Sequence, residues 1–203
     1  MELRGYNTGC FHRGAPRWKE ALWVMVKCLF FLPPWPWPSA LRVALLRLFG
    51  AEIGPRVVIR SGVNVTFPWR LKVGRDVWIG DDVLILSLGQ VTIGPSVCIS
   101  QRVFICSGSH DFRAPGFDLI VKPVEIGGHS WIAAQSFLAP GVAVGEGSVV
   151  GAGTVLLTGV PERSLVRGNP GVVVGKVEER SPNEKAALGG FRPDPGNIPA
   201  SGY

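Results

Sequence analysis

The chain contains few of the residue types that usually build metal sites and disulfides. Its 203 residues include only 3 histidines and 4 cysteines. The spacings of the cysteines match neither a zinc motif nor a CxxC motif: they are Cys10, Cys28, Cys98 and Cys106. Reduced thiols in a cytoplasmic protein are the simplest interpretation of this pattern.

A long hydrophobic run is also missing. The longest apolar segment covers residues 21–32 and contains Lys27, whereas a helix that spans a bilayer needs roughly 20 apolar residues. A signal peptide is not favoured either, because the prolines and tryptophan of residues 33–36 stand where a small-residue cleavage site would lie. We therefore expect a cytoplasmic protein without a spanning helix.

Positive charge is present mainly at one end. The formal net charge is +6, and residues 1–50 hold seven Lys/Arg against two Asp/Glu. The same segment holds four of the 7 tryptophans: Trp18, Trp23, Trp35 and Trp37. Basic residues mixed with tryptophan can mark a membrane surface or a nucleic-acid site, and the apolar run favours the membrane. Residues 18–49 are predicted either to pack only on the main domain or also to contact the inner face of the membrane peripherally, and no nucleic acid is expected.

A six-residue repeat dominates residues 53–161. Three such hexads form one coil with three short strands, and each strand pairs with the coils above and below at roughly 4.8 Å. No single coil can bury its core, so coils must stack, with glycine and small residues at the corners. The pattern predicts an all-β parallel helix whose inward aliphatic residues are Ile53, Ile59, Val65, Val73, Ile79, Ile85, Ile93, Ile99, Ile105, Ile126, Ile132, Leu138, Val144, Val150 and Leu156.

The repeat also predicts the domain layout. Residues 1–50 form an N-terminal segment with two helices, Trp18–Leu32 and Ser39–Phe49, that cover the open end of the solenoid. Residues 51–177 form the β-helix, from which residues 106–125, CSGSHDFRAPGFDLIVKPVE, protrude as a loop. Residues 178–203 are rich in glycine, proline and charge, and we expect a flexible tail.

One histidine lies in the protruding loop. His110 is part of Ser-His-Asp-Phe, whereas His12 precedes the repeats and His129 lies in a coil turn. A neutral imidazole is the usual base for removing a hydroxyl proton, and a carboxylate such as Asp111 can fix its tautomer. Position alone leaves two interpretations open for His110, a catalytic base or a surface loop histidine.

From about residue 41 to 177 the sequence resembles the hexapeptide-repeat acetyltransferases, in the branch with galactoside, maltose and nodulation-factor acetyltransferases. It is most similar to the colanic-acid-biosynthesis O-acetyltransferase group. The stretches that carry the likeness are FPWRLKVGRDVWIGDDV, ISQRVFICSGSHDF, IGGHSWIAAQSFLAPGVAVGEG and RGNPG. The resemblance implies a left-handed β-helix, acetyl-CoA as acyl donor, a sugar hydroxyl as acceptor in exopolysaccharide or lipid-linked glycan synthesis, and a homotrimer with active sites between neighbours.

The resemblance also implies roles for individual residues. His110 matches the catalytic base, with Asp111 as its candidate partner, and Asp82 lies where the family places an acceptor-binding residue. Trp131 matches a tryptophan that borders both substrate and cofactor. The small residues that match the wall along the pantetheine arm are Ala133, Ala134, Gly151 and Ala152, and backbone NH groups near the two alanines are candidate oxyanion donors.

The chain departs from the family pattern around the cofactor. Relatives often have Gly-Gly or Gly-Ser where this chain has Ala133-Ala134, and many have Thr-Lys-Asp where it has residues 158–160, TGV. A cation after Gly-Asn-Pro is replaced by residues 171–172, GV. Arg167 is therefore the principal candidate for contact with the CoA phosphates, with Arg163 and Lys176 as further candidates.

Three alternatives accompany this hypothesis. The acceptor can be an amine on a nucleotide sugar, or the protein can be a non-catalytic trimeric scaffold. A γ-type carbonic anhydrase uses the same solenoid with three histidines around a metal. Because only His110 and His129 lie in the solenoid region, no metal is expected.

Overall fold

Every third short strand of the solenoid lies on the same sheet, because the chain turns one corner in each hexad. The computed structural model describes residues 11–178. The predicted tail, apart from Glu178, and the first ten residues lie outside this range. The described strands form three faces of a prism, which we call sheets A, B and C in the order in which the chain visits them.

The three sheets contain the strands of successive coils, which are parallel except for the last strand of sheet B. Sheet A consists of β1 (Glu52–Ile53), β4 (Leu71–Val73), β7 (Val91–Ile93), β12 (Val124–Ile126) and β15 (Ala143–Val144). Sheet B consists of β2 (Val58–Ile59), β5 (Trp78–Ile79), β8 (Cys98–Ile99), β13 (Trp131–Ile132), β16 (Val149–Val150), β18 (Ser164–Arg167) and β19 (Val172–Lys176). Sheet C consists of β3 (Asn64–Val65), β6 (Leu84–Leu86), β9 (Phe104–Cys106), β14 (Phe137–Leu138) and β17 (Val155–Leu156).

The core is the stack of inward aliphatic residues that the hexads predict. Fourteen of the fifteen predicted positions are buried, and Ile53 in the first coil is partly buried. The strand register places identical side chains in neighbouring coils next to each other: Ile79 pairs with Ile99, and Ile99 pairs with Ile132. Burying one such side chain contributes roughly 1.5–3 kcal/mol, so the repeated column supplies most of the driving force for folding.

Close approach of neighbouring coils explains the glycines at the corners. A Cβ added to Gly94 would lie 2.5 Å from the backbone N of Gly128 in the next coil. No real Cβ tolerates that distance, so the backbone of one of the two coils would have to shift. The repeated aliphatic-Gly pairs that mark each coil in the sequence therefore have a steric cause.

Two helices cover the first coil, as predicted. They are α1 (Arg17–Phe30) and α2 (Ser39–Leu48). Trp23 of α1 is fully buried, its Nε1 donates to the backbone O of Val65 at 2.9 Å, and its ring contacts Phe31 and Phe49 at 5.2 Å. These contacts fasten α1 onto the solenoid.

The helical segment also satisfies backbone groups at the edge of the first coil. The backbone N of Ile59 donates to the Oγ of Ser39 at 2.8 Å, and the N of Gly62 donates to the O of Phe31 at 2.8 Å. Arg42 is 4% exposed, and burial lowers the pKa of its guanidinium. Its side chain donates to four backbone carbonyls, those of Phe30, Trp35, Trp37 and Ile59. The charged group is therefore well compensated in the cap.

A hairpin leaves the solenoid where the hexads stop. It comprises β10 (Gly108–His110) and β11 (Leu119–Val121), which pair antiparallel. The chain departs after β9 and returns at β12, so the hairpin projects from the corner between sheets C and A. Buried Ser107 anchors its base, because its Oγ donates to the O of Leu86 at 2.6 Å and accepts from the N of Gly89 at 2.8 Å. The protruding loop was predicted; its strand pairing was not.

Candidate active site

His110 lies at the outer end of β10 and is held by the opposite arm of the hairpin. Its Nδ1 lies 2.9 Å from the carbonyl O of Phe117. Its imidazole stacks on the ring of Phe117, with centroids 4.3 Å apart and planes only 3° from parallel. The side chain is half-buried. The hairpin therefore gives this histidine a defined position.

The contact at Nδ1 selects a tautomer. A carbonyl oxygen can only accept a hydrogen bond, so the proton of the neutral imidazole resides on Nδ1. The lone pair then lies on Nε2, at the edge of the ring opposite the carbonyl. A histidine arranged in this way can take a proton at Nε2 and return it from the same atom.

Phe117 has an unusual backbone conformation, with φ of 51°. Eight other non-glycine residues in the described range 11–178 have positive φ; all eight are polar and lie at solenoid corners. Phe117 is the apolar exception and lies outside the repeat. Sequence reasoning missed this residue, because nothing in a non-repeating loop marks which aromatic side chain meets the histidine.

Asp111 forms the turn that follows His110. Its Oδ1 accepts a hydrogen bond from the backbone N of Arg113 at 2.9 Å, and its own N donates to the O of Asp118 at 2.8 Å. These contacts give the carboxylate a turn-forming role. Its predicted role as catalytic partner stays a prediction, and the acceptor found at Nδ1 of the histidine is the carbonyl of Phe117.

Trp131 lies on the outer surface of sheet B. The side chain is 49% exposed, and its Nε1 donates to the Oγ of Ser100 at 2.9 Å. The corresponding outward positions in the two preceding coils are Cys98 and Trp78, both exposed. The indole is thus oriented by a side chain of the neighbouring coil while one half of it faces outward.

The small residues predicted to border the cofactor do lie together. Ile132, Val150 and Val166 occupy one register position in three successive coils, so the residues that follow them lie in neighbouring coils: Ala133, Gly151 and Arg167. A Cβ added to Gly151 would lie 3.1 Å from the Cγ of Arg167. Ala134 and Ala152 come next at the same corner, between sheets B and C. Trp131 thus begins a path of small side chains that ends at an exposed cation.

Other predicted contacts are placed differently. The N of Ala133 donates to the O of Val150 at 2.8 Å within sheet B, and an oxyanion donor among the NH groups near Ala133 and Ala134 stays a prediction. Arg163 lies at the corner between sheets A and B, away from Arg167, and Lys176 donates to the O of Glu162 at 3.2 Å. Arg167 is therefore the one of the three candidate cations that borders the small-residue path.

Asp82 lies in an exposed turn between β5 and β6. Its φ is 58°, and its Oδ2 is 3.6 Å from the Nε of Arg102 in the next coil. It shares the corner between sheets B and C with Ala134, two coils further along the solenoid. An acceptor-binding role for this carboxylate stays a prediction.

The structure does not bring His110 and Trp131 together within one chain. The hairpin projects from the corner between sheets C and A, and Trp131 lies on sheet B. In a prism with three faces, the corner between two faces is opposite the third face. The two residues therefore lie on opposite sides of the same molecule.

Within residues 11–178, no group of three or more His, Cys, Asp or Glu side chains is arranged to hold a metal ion. His129 is exposed at a corner with φ of 59° and borders a shallow depression with Glu146 and Glu162. His110 lies at a different corner of the solenoid.

Comparison with known proteins identifies similar chains. No protein-family model matches the sequence. The chain is 42% identical over 177 residues to the Escherichia coli (strain K12) protein named "Putative colanic acid biosynthesis acetyltransferase WcaF", and the match covers 86% of this chain and 96% of that protein.

Solved structures share the fold. The hexapeptide-repeat acetyltransferase VCA0836 from Vibrio cholerae, complexed with acetyl coenzyme A, superposes with a TM-score of 0.75 at 22% identity, covering 88% of this chain and 100% of that chain. A maltose O-acetyltransferase from Clostridium difficile 630 superposes with a TM-score of 0.68 at 23% identity, covering 80% and 88%. These superpositions confirm the predicted fold class, a left-handed parallel β-helix with N-terminal helices.

Proposed function

Because the chain belongs to the hexapeptide-repeat acetyltransferases and is thus an acyltransferase, we propose that it transfers an acetyl group from acetyl-CoA to a sugar hydroxyl. The E. coli relative is named for colanic acid biosynthesis, and the V. cholerae structure is complexed with acetyl coenzyme A. These names support a carbohydrate acceptor in exopolysaccharide or lipid-linked glycan synthesis. They also support acetyl-CoA as the donor substrate.

In the proposed reaction His110 is the general base. Its Nε2 takes the proton of the acceptor hydroxyl as the oxygen attacks the thioester carbonyl, forming a C–O bond and a tetrahedral intermediate. The intermediate collapses with cleavage of the C–S bond, and the imidazolium returns the proton to the CoA thiolate. The enzyme forms no covalent acyl intermediate. The observation that carries this proposal is the Nδ1 contact with Phe117, which leaves the lone pair on Nε2.

The donor is proposed to lie along the path from Trp131 to Arg167. The pantetheine arm would pass the small residues Ala133 and Gly151, where larger side chains would obstruct it. The guanidinium of Arg167, which is exposed at the end of this path, would meet a CoA phosphate. A test is the KM for acetyl-CoA in Arg167→Gln, with Arg163→Gln as the matched control at the other corner. An equal KM in both variants would contradict the assignment.

We further propose a homotrimer in which one chain supplies His110 and its neighbour supplies Trp131. The opposite placement of these residues within one chain supports a site shared between subunits. The test mixes two inactive variants, His110→Ala and Trp131→Ala, after separate purification and exchange of subunits. A shared site predicts that activity returns in the mixture, because some interfaces combine the two intact residues. A mixture that stays inactive, or a monomer by light scattering, would refute it.

The acceptor class is tested directly. Free CoA is measured with acetyl-CoA and a panel of oligosaccharides, lipid-linked sugars and amino-sugar nucleotides. Product mass then identifies the acceptor, and mild alkaline hydrolysis distinguishes an ester on oxygen from an amide on nitrogen. If all products are stable to mild alkali, the result indicates the N-acetyltransferase alternative. Turnover that is equal in wild type and His110→Ala would contradict the assignment of the base.

The outer face of α1 supports a peripheral membrane contact as part of this function. Exposed apolar side chains recur at intervals of four and three residues along one face of α1, at Trp18, Leu22, Met25 and Leu29, and exposed Leu32 follows just after the helix ends. Residues 11–50 hold six Lys/Arg and a single acidic residue, Glu20. Apolar side chains with surrounding positive charge suit an anionic lipid surface, where a lipid-linked acceptor would reside. Among residues 11–178, no helix has the length and apolar content needed to cross a bilayer.

Flotation with anionic vesicles tests this contact. The double variant Met25→Glu/Leu29→Glu is expected to lose co-flotation that the wild type shows with phosphatidylglycerol vesicles. Val174→Glu is the matched control, because Val174 is as exposed as Met25, 53% each, but lies on β19. Equal flotation of the double variant and the wild type would refute the membrane contact. A change of oligomeric state in the double variant alone would assign the face to subunit packing instead.

A further inference from the structure

We propose that Phe117 is a positioning residue for the acetyl transfer, with its ring fixing the plane of the His110 imidazole and its carbonyl fixing the tautomer. The inference rests on the proposed function of His110 as base and deepens it. It assigns a role to a residue that the family resemblance did not point to.

The two contacts restrain His110 in different ways. The ring stack, 4.3 Å between centroids and 3° from parallel, opposes rotation of the imidazole about its Cβ–Cγ bond. The carbonyl, 2.9 Å from Nδ1, distinguishes the two edges of that ring and holds the proton on one of them. A base must present its lone pair to the acceptor within a narrow range of directions. Phe117 therefore fixes both the plane of the imidazole and the nitrogen that carries its proton.

The backbone of Phe117 is what allows one residue to make both contacts. Its φ of 51° lies in the left-handed region, where a bulky side chain is unfavourable. The turn holds this conformation, because the N of Phe117 donates to the O of Ala114 at 3.0 Å and the N of Asp111 donates to the O of Asp118 at 2.8 Å. Glycine or asparagine would adopt it at lower cost. A strained phenylalanine against the candidate base therefore points to a role for the side chain.

The rest of the hairpin offers a matched comparison. Phe112 is also on the hairpin, but its ring is 73% exposed and carries the guanidinium of Arg113 at 5.5 Å. Its ring is not the one stacked on the imidazole. Glycine at either position removes one phenyl ring from the hairpin, whereas only Phe117→Gly takes away the stack on His110.

The experiment compares Phe117→Gly, Phe117→Tyr and Phe112→Gly in the full chain. Phe117→Gly keeps the left-handed backbone and removes the ring; we expect kcat to fall about tenfold or more while the KM for acetyl-CoA stays within about twofold. Phe117→Tyr retains the ring and is expected to keep the wild-type kcat. Phe112→Gly is expected to keep it as well.

A spectroscopic measurement separates positioning from general loss of structure. In protein with ¹⁵N-labelled histidine, the nitrogen shifts of neutral His110 report which nitrogen carries the proton, and His110→Gln identifies the signal. We expect the Nδ1-protonated form in wild type, Phe117→Tyr and Phe112→Gly. Phe117→Gly retains the carbonyl, but without the ring the imidazole can rotate away from it, so we expect a mixture of tautomers in this variant. Circular dichroism establishes that each variant is folded.

The outcomes are distinguishable from failure of the proposed function. If His110→Gln retains activity, the base assignment is wrong, yet the nitrogen shifts still report whether Phe117 fixes the tautomer. If folded Phe117→Gly keeps both kcat and a single tautomer, the ring of Phe117 does not position His110 and the proposal fails. The proposal would also be overturned if folded Phe117→Tyr lost the Nδ1-protonated form of His110. The same holds if kcat fell as far in Phe112→Gly as in Phe117→Gly.

Discussion

The solenoid and the hairpin of residues 107–123 fix their side chains in different ways. In the solenoid, Ile99 is held between Ile79 and Ile132, which are aliphatic residues at equivalent positions in the coils on either side. In the hairpin, His110 is held by the ring and carbonyl of Phe117, a contact that occurs once. We expect the first arrangement to tolerate replacement by an aliphatic residue of similar size, and the second to depend on the particular aromatic contact. Stability is therefore assigned to the buried aliphatic column and the proposed proton transfer to the hairpin, so a substitution in the column and one at His110 should affect different properties.

The largest expected effect is on catalysis, from the hairpin. His110→Ala removes the proposed base and should lower kcat by about 10²- to 10⁴-fold, with little change in the melting temperature. His129→Ala, at a solenoid corner, serves as the control and should retain activity. The kcat and the thermal unfolding of both variants are measured. A marked drop in the melting temperature of His110→Ala would contradict the separation of stability from catalysis.

The next effect is on stability, from the solenoid. Ile105 is fully buried in the third coil, and Ile105→Ala should lower the free energy of unfolding by roughly 2–5 kcal/mol because it leaves a cavity between coils. Leu157→Ala is the exposed control, expected within about 0.5 kcal/mol of wild type. Chemical denaturation measures both. An unchanged midpoint for Ile105→Ala would show that the stacked column does not determine stability.

A smaller effect is expected in the turn of the hairpin. Asp111→Ala removes the acceptor for the NH of Arg113, a hydrogen bond worth about 0.5–1.5 kcal/mol of local order. Asp111→Asn keeps an acceptor oxygen without the charge and should preserve most of the kcat. If Asp111→Asn instead lowers kcat as far as His110→Ala does, the carboxylate charge acts in catalysis as the sequence predicted.

The smallest effect is expected at an exposed corner of the solenoid. Arg56 donates to both carboxylate oxygens of Asp76, at 2.5 and 2.8 Å, and this hydrogen bond lowers the pKa of Asp76 below its ordinary 3.8. A depressed folded pKa adds stability that is present above the unfolded pKa and is lost as the pH falls through the folded value. Arg56→Gln should therefore lower the melting temperature slightly at pH 7 and leave it unchanged at a pH below the folded pKa of Asp76. Because both groups are exposed, 0.5 M salt should abolish the difference.

Much of the solenoid was predictable because each position repeats. The periodicity of Ile59, Ile79 and Ile99 predicts burial, strand and register together, and its interruption after Ile105 predicts where the chain leaves the coils. The contacts of Arg42 with four carbonyls were not predictable, since they depend on how α2 packs against the end of α1, the linker that follows it and the first coil. The same holds for Phe117, whose position depends on the pairing of β10 with β11. Residue type suggested His110, but only the three-dimensional arrangement shows what orients it.

The covers at the two ends of the solenoid occupy backbone groups that a further strand could otherwise use. At each end of a stack of parallel strands, unpaired backbone N–H and C=O groups can form hydrogen bonds with a strand of another molecule as readily as with a further coil. At one end Ser39 and Phe31 bind the N–H groups of Ile59 and Gly62, and at the other β19 reverses direction against β18. Both covers therefore oppose the addition of another strand to sheet B within the described residues. A coil inserted in the interior would leave both covers in place, so we expect the length of the solenoid to change without exposing a new strand edge at either end.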